Sequence, residues 1–283
     1  MKRLLLCTDL DRTLIGNGAQ PESKGALALF RQLVARADVK LAYVSGRHRA
    51  LIEEAMVQFD LPAPDFVIAD VGSTLYQVAP SGWQQNQAWC TLIAPDWQGL
   101  ASADLSRLLV DLPALRLQPQ AQQNLHKLSY FVALAEDAPG LMRAVHARLD
   151  AAHIKAHLIW SVDEPAQVGL LDVLPASANK LHAIRFLMAE QGFHDDQTVF
   201  AGDSGNDLDV LLSSIPAVLV ANADPQVKSL VAAANPANLY LARGAYLGMN
   251  GNYSAGILEG VTHYHPPLDA WLRAQTLKPF GDD

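Results

Sequence analysis

Cysteine is scarce in this chain of 283 residues, which contains only Cys7 and Cys90. These two lie far apart and lack the paired spacing of zinc ligands, so the sequence indicates neither a disulfide framework nor a cysteine-based zinc site. The absence of structural disulfides is typical of proteins from a reducing compartment. We therefore expect a cytoplasmic protein.

Long apolar runs are also absent. The run Leu4–Cys7 follows Lys2 and Arg3 but ends before Asp9, which makes it too short for the core of a signal peptide. No other stretch approaches the roughly 18 consecutive apolar residues that a transmembrane helix needs. We therefore expect no association with a membrane.

Positive charge is in deficit. The chain has 21 lysine and arginine residues against 29 acidic residues, a net charge of −8, and its basic residues form no long cluster. Surfaces that bind nucleic acid depend on such clusters, so we expect no nucleic acid partner. The expected partner is a small molecule, and we expect a monomer. A phosphorylated ligand would need a local positive site, because the overall charge of the protein repels it.

The residues that are present are typical of a globular protein. Half of them are hydrophobic and 18% are charged. At about 150 residues per domain, the length allows one large or two moderate domains. Short apolar runs alternate with segments of helical periodicity, which predicts an α/β fold with a Rossmann-like core, a central parallel sheet flanked by helices. The predicted core strands begin near residues 4, 39, 66, 198, 217 and 239.

The pattern changes at Pro80-Ser81-Gly82. Beyond it lie four of the five tryptophans, Trp83, Trp89, Trp97 and Trp160. This segment has its own predicted helices and strands, at 102–109, 127–134, 139–152 and 156–160. We therefore predict a second α/β module at 81–167, inserted into a core domain formed by residues 1–80 and 168–283. The run Val168–Pro175 is expected to return the chain to the core.

Two carboxylates follow the first predicted strand. Asp9 and Asp11 are two residues apart, so on an extended segment they point the same way, and two close carboxylates repel each other unless a cation or a proton intervenes. Three uses fit this pair: a site for a hard metal ion, a nucleophile with its acid/base partner, or both. The alternative without function is a strand end followed by a capped turn.

Further polar clusters follow other predicted elements. Ser45-Gly46-Arg47 comes after a strand and forms either an anion-binding loop or a serine cap. Lys180 begins a helix, against the preference of the helix dipole, which favours a role with a bound anion. Asp203 and Asp207 follow another strand. If all four clusters share one sheet edge, the acids bind Mg²⁺, the lysine and hydroxyl neutralise phosphate, and one carboxylate attacks phosphorus.

These clusters carry a resemblance to a known family. The motifs are Asp9-Leu10-Asp11-Arg12-Thr13, Ser45 after a strand, Lys180 at a helix start, and Gly202-Asp203-Ser204-Gly205-Asn206-Asp207. They resemble the four motifs of the haloacid dehalogenase (HAD) superfamily of phosphatases, and an insert between Ser45 and Lys180 is similar to the type-II cap group. Finer features resemble the sucrose-phosphate phosphatase branch: Val71-Gly72-Ser73 with Tyr76, Leu171–Pro175, Val220-Ala221-Asn222-Ala223 and Ser254–Glu259.

The resemblance implies roles for single residues. Asp9 would be the nucleophile that forms an aspartyl-phosphate, and Asp11 would act as general acid and then as general base. Ser45 and Lys180 would hold the transferring phosphoryl group, with a backbone N–H from Gly46.

The resemblance also implies a Mg²⁺ cofactor. Its ligands would be Asp9, the main-chain carbonyl of Asp11 and Asp203, with Asp207 and Asn206 completing or supporting the shell. The substrate-binding residues implied are Ser45, Gly46, Arg47, Lys127, Tyr130, Lys180 and Asn206. Arg12 departs from the family pattern, where many relatives have a small or amide residue. It is either a solvated loop residue or a residue that narrows the cleft.

The hypothesis is a Mg²⁺-dependent phosphatase of a phosphorylated disaccharide, with sucrose 6-phosphate as the preferred substrate. A phosphatase of another sugar phosphate, such as mannosylfructose phosphate, and a phosphosugar mutase are the enzymatic alternatives. From other classes, a phospho-accepting switch domain and a sugar-binding protein without catalysis remain open at this point.

Overall fold

The computed structural model describes residues 3–163 and 166–276. The strands are β1 (Leu4–Thr8), β2 (Val39–Val44), β3 (Phe66–Ala69), β4 (Thr74–Ala79), β5 (Gly82–Gln85), β6 (Arg116–Leu117), β7 (Leu128–Ala133), β8 (Ala156–Asp163), β9 (Val168–Pro175), β10 (Thr198–Gly202), β11 (Ala217–Leu219) and β12 (Leu239–Leu241). The α-helices are α1 (Ala26–Val34), α2 (Arg49–Gln58), α3 (Gln87–Ile93), α4 (Ser102–Leu108), α5 (Ala138–Ala151), α6 (Lys180–Gln191), α7 (Leu208–Leu211), α8 (Pro225–Ala234), α9 (Ser254–Tyr264) and α10 (Pro266–Thr276).

The larger sheet has eight strands in the order β12-β11-β10-β1-β2-β3-β4-β5. The pairs from β12 to β3 are parallel, and β4 and β5 extend the sheet in antiparallel fashion. All five residues of β1 are buried, as a central strand covered by helices on both faces requires. The predicted fold class, an α/β protein with a central parallel sheet, is confirmed.

The smaller sheet has four strands in the order β6-β7-β9-β8. Its three long strands pair antiparallel, and α4 and α5 pack against β7 and β8. A separate hydrophobic core lies between this sheet and its helices, with Trp97, Leu105, Val145, Leu149 and Val173 among its members. The predicted second α/β module is therefore present; we call it the cap and the remainder the core domain.

One prediction about the domain boundary is wrong. Val168–Pro175 does not return to the core domain, because as β9 it pairs along its whole length with β8 and over residues 168–173 with β7. Its alternating pattern explains this placement: Leu171 and Val173 point into the cap core, while Leu170 and Asp172 lie on the opposite face. The chain crosses back only after Pro175.

The start of the insert also differs from the predicted residue 81. Strand β5 completes the larger sheet, and Trp89 and Ile93 of α3 belong to the hydrophobic cluster of the core domain. The indole Nε1 of Trp89 donates a hydrogen bond to the carbonyl of Gly72, at 3.0 Å. Tryptophan content was a poor guide here, because Trp89 is buried in one domain and Trp97 in the other.

The topology places the carboxyl ends of the central strands at one edge. Strands β10, β1 and β2 are parallel neighbours, so the loops that follow Gly202, Thr8 and Val44 emerge side by side. We call this the catalytic edge. None of the described helices combines the length and the apolar character of a membrane span.

Candidate active site

Asp9 lies directly after β1, at the catalytic edge. Its backbone N–H donates to the carbonyl of Ala201 at 2.9 Å, which continues the β1–β10 ladder by one residue and fixes where the side chain begins. The residue is 5% exposed, and its Oδ1 lies 3.2 Å from the Nζ of Lys180. Burial raises the pKa of Asp9 well above its usual value, and Lys180 opposes that rise. The lysine thus favours the ionised form, which is the nucleophilic one.

Lys180 is the first residue of α6 and is 1% exposed. Its Nζ donates to Oδ1 of Asp207 at 2.7 Å and to Oδ1 of Asn206 at 2.9 Å. Burial alone would lower its pKa, but the charges of Asp207 and Asp9 outweigh burial and raise it. The lysine is therefore a fixed cation, and these two carboxylates offset the unfavourable position at a helix N-terminus.

Gly72 allows this arrangement to pack. It lies at the turn after β3 with φ of 104°, and a Cβ there would come within 2.4 Å of the carbonyl carbon of Asn179. Asn179 caps α6, since its side chain accepts from the backbone N–H of His182. A side chain at position 72 would push away the helix start that carries Lys180.

Asp203 and Asp207 follow β10 and meet Asp9. Carboxylate oxygens of the three residues lie within 4.8 Å of one another, and all three residues are buried. Oδ1 of Asp203 accepts from the hydroxyl of Thr13 at 3.1 Å, whereas its buried Oδ2 has no hydrogen bond among the described residues. Burial and the charge of Asp207 raise the pKa of Asp203 to about 7, against Arg12 and Thr13, which lower it.

These residues fit a hard divalent cation. Three converging carboxylates repel one another, Lys180 supplies one compensating charge, and one buried carboxylate oxygen of Asp203 has no hydrogen bond among the described residues. Oxygen ligands of this kind suit Mg²⁺. Asp207 is less free than the others, because its Oδ1 binds Lys180 and its Oδ2 accepts from the backbone N–H of Asp203 and of Ser204. It acts as a support for the loop.

Asp11 lies apart from that triad. Its carboxylate accepts two hydrogen bonds from Arg47, at 2.8 and 2.7 Å, and one from Asn17 at 2.7 Å. Burial alone would raise its pKa, but Arg47 and Asn17 outweigh burial and lower it. The predicted use of Asp11 as a metal ligand relied on its main-chain carbonyl, so it stays a prediction. The contact with Arg47 gives that arginine an orienting role.

Ser45-Gly46-Arg47 follows β2 at the same edge. Ser45 is 1% exposed, and its Oγ accepts from the backbone N–H of Arg47 at 3.1 Å. This is a hydrogen bond within the loop and not a helix cap, because His48 is the N-cap residue of α2. Ser45 itself is not among the residues that line the cleft, so its role in binding phosphate stays a prediction. Gly46 and Arg47 line the cleft directly, as do Asn206 and Lys180.

A cleft of about 790 Å³ separates the catalytic edge from the cap. The open face of the cap sheet forms its roof, with residues from β7, β8 and β9. The sequence analysis did not identify these residues of the roof: Phe131, His157, Ile159, Ser161, Leu170 and Asp172, with Gln118 directly after β6. Strand alternation was the available signal, because residues on the parity opposite to the cap core had to face away from that core.

Tyr130 and Lys127, the two predicted cap residues, have different positions. Tyr130 is 4% exposed within the cap core and does not line the cleft, which runs counter to the predicted contact with substrate. It has the parity of Leu128 and Val132, and its neighbour Phe131 is the residue that lines the cleft. Period-two geometry decides this, since one step along a strand reverses the face.

Lys127 does line the cleft. Its Nζ lies 3.6 Å from Oδ1 of Asp70 and 3.7 Å from Oδ1 of Asp172, so it pairs with one carboxylate from each domain. Burial raises the pKa of Asp70, and Lys127 opposes that rise. Asp70 and Val71 both have left-handed backbones, with φ of 54° and 57°. Strain of this kind is held only where surrounding contacts enforce it.

Comparison with known proteins agrees with this geometry. Residues 2–265 match the family model for sucrose-6F-phosphate phosphohydrolase. A HAD-like hydrolase of Nitrosococcus oceani is 50% identical over 96% of this chain and 74% of that protein. The mannosylfructose-phosphate phosphatase of Agrobacterium fabrum is 28% identical over 92% of this chain and 96% of that protein. The chain spans smaller shares, 31% and 52%, of the length of two other curated relatives.

Among solved structures, the sucrose-phosphatase of Synechocystis, in complex with sucrose and phosphate, has a TM-score of 0.74 and 27% identity. The alignment covers 93% of this chain and 98% of that one. The similarity therefore extends over both domains and the cleft between them.

Proposed function

The chain belongs to the sucrose-6F-phosphate phosphohydrolase family of HAD phosphatases, and from this premise we propose that it is a Mg²⁺-dependent phosphatase of a phosphorylated disaccharide, with sucrose 6-phosphate as the preferred substrate. As a member of that family it is a phosphoric monoester hydrolase, so the switch domain and the sugar-binding protein are set aside. The observation that carries the proposal is the meeting of Asp9, Lys180 and Asp203 beneath a separate cap.

The first step forms a bond between an Asp9 carboxylate oxygen and phosphorus and breaks the bond from phosphorus to the sugar oxygen. A proton from Asp11 completes the sugar hydroxyl as it leaves. Lys180 opposes the effect of burial on the pKa of Asp9 and so favours its ionised form. With the backbone of Gly46, it lies where phosphate oxygens would enter. A bound Mg²⁺ would neutralise charge on the transferring phosphoryl group, held by Asp9 and Asp203.

The second step returns the enzyme to its starting state. A water molecule attacks phosphorus, its proton passes to Asp11, and the bond to Asp9 breaks, which releases phosphate. The ionised form of Asp11, favoured by Arg47, is the form that this step needs. In the first step, Asp11 must instead carry a proton, so its contact with Arg47 has to weaken when substrate enters.

The cleft suits a substrate larger than a single sugar. Its volume of about 790 Å³ lies within the range of ligand pockets, and its roof combines aromatic with polar side chains. Phe131 offers a face for a sugar ring, and Lys127 with Asp172 offers donors and acceptors for hydroxyls. Tyr130 has no part in this contact.

The direct test is steady-state phosphate release, with Mg²⁺ and then with EDTA. The substrates are sucrose 6-phosphate, mannosylfructose phosphate, fructose 6-phosphate and glucose 6-phosphate. We expect kcat/KM for sucrose 6-phosphate to exceed the others by about 100-fold, or about 2.7 kcal/mol in transition-state free energy. Similar rates on all four would contradict the preference, and a leading rate on mannosylfructose phosphate would transfer the assignment to that substrate. Release that persists in EDTA would contradict the metal dependence, and transfer to a sugar in place of water would indicate a mutase.

A further inference from the structure

Arg12 has a contact that the proposed chemistry does not use. Its Nε lies 3.4 Å from Oδ2 of Asp203, the buried carboxylate oxygen that has no hydrogen bond among the described residues. The separation is that of an ion pair and not of a well-formed hydrogen bond. The oxygen therefore has a positive neighbour but keeps a lone pair that no donor occupies.

The backbone of Arg12 is fixed independently of its side chain. Its N–H donates to Oδ1 of Asn17 at 2.8 Å, and its carbonyl accepts from Nδ2 of Asn222 at 2.6 Å. Asn222 is in turn held by the backbone N–H of Tyr253, at 2.8 Å. The residue adopts a left-handed backbone, with φ of 57°. These contacts fix the backbone from which the side chain of Arg12 extends toward Asp203.

The side chain remains movable. It is 41% exposed and lines the cleft, whereas the side chain of Asp203 is 2% exposed. The guanidinium donates no hydrogen bond to any described residue. Because the guanidinium has one weak ion pair and is partly exposed, it can move from Asp203 into the cleft without breaking a hydrogen-bond network.

We propose that Arg12 competes with a divalent cation for Asp203. The guanidinium of Arg12 neutralises Asp203 until the cation binds that carboxylate and displaces the guanidinium into the cleft. A divalent cation bound to Oδ2 of Asp203 would lie close to the guanidinium, and the two positive charges would repel each other. Arg12 is thus a positioning residue that sets the Mg²⁺ concentration at which the site is half filled. This inference rests on the proposed divalent-cation site at Asp9 and Asp203, which Asp207 supports.

The test is calorimetric titration of the full-length protein with Mg²⁺ alone, without substrate. R12Q removes the positive charge beside Asp203 and is expected to bind Mg²⁺ on the order of 5-fold more tightly than the parent. R12K keeps a charge and is expected to stay near the parent affinity. R107Q removes an equal charge from the surface of α4, where Arg107 is 76% exposed, and is the matched control for net charge.

Each outcome decides one point. Equal Mg²⁺ affinity in R12Q and the parent, or an equal shift in R107Q, overturns the role of Arg12 while the metal site stands. Binding that D203N does not weaken, or the absence of binding in the parent, overturns the proposed cation site and the inference with it. If R12Q does not fold, the Mg²⁺ affinity of R12M, which has a side chain of similar length and no charge, is compared with that of the parent instead.

Discussion

The two walls of the cleft are built in different ways. At the catalytic edge, Asp9, Lys180 and Asp207 are buried and joined by ion pairs and hydrogen bonds of 2.7 to 3.2 Å. On the cap roof, Phe131 and Leu170 are only partly buried, and their positions follow from strand register. From this difference we expect the reaction to depend on a fixed charged network, and substrate choice to depend on a face whose residues can be replaced without disturbing that network.

The largest expected effect comes from breaking the catalytic edge. Asp9→Asn removes the nucleophile but keeps the side-chain size, so we expect kcat to fall by about 10⁴-fold or more. Steady-state phosphate release measures this. Asp60→Asn is the matched control, because the side chain of Asp60 is 88% exposed, does not line the cleft and has a left-handed backbone that asparagine also tolerates. Near-normal turnover in Asp9→Asn would contradict the assignment of the nucleophile.

An effect of intermediate size is expected from substitutions in the cap, and the neighbouring residues Phe131 and Tyr130 should differ in their effect on KM. Phe131→Ala removes a roof surface, so we expect KM to rise about 10-fold with little change in the free energy of unfolding. Tyr130→Phe removes a buried hydroxyl without a hydrogen-bond partner among the described residues, so we expect unchanged KM and stability that is equal or about 1 kcal/mol higher.

Kinetics and urea unfolding of both variants test this pair. A raised KM in Tyr130→Phe would restore that residue to the substrate site and contradict the register of β7.

The smallest expected effect is the pH dependence of stability without metal. The pKa of Asp203 is raised to about 7 in the fold, so between pH 4 and 7 the native state binds more protons than the unfolded state. Its contribution to stability is therefore present at low pH and is lost as pH rises toward 7. We expect a loss of about 1–3 kcal/mol from this group over that range.

Urea unfolding in EDTA from pH 4.5 to 7.5 measures it, as the difference between the parent and Asp203→Asn, which cannot titrate. The free energies of unfolding of the two proteins should change with pH in the same way only above pH 7, where Asp203 no longer titrates. Parallel curves across the whole range would show that Asp203 is not perturbed.

Local sequence patterns were enough to predict much of the fold and the catalytic edge. Apolar runs that end in acids predicted β1 and β10, and their shared edge follows from parallel pairing. The cap boundary could not be predicted in the same way. Val168–Pro175 is apolar at alternating positions and would fit either sheet, and its place between β7 and β8 depends on partners distant in the chain. The same limit explains Tyr130, whose face is set by register and not by residue type.

The sequence by itself determined which groups meet at the catalytic edge, because parallel topology brings strand ends together whatever the details of packing. Only the tertiary structure decided how they pair: Asp11 with Arg47, Lys180 with Asp207, and Arg12 with Asp203. Charged side chains reach several ångströms in many rotamers, so their pairing depends on the burial and spacing of all neighbours at once.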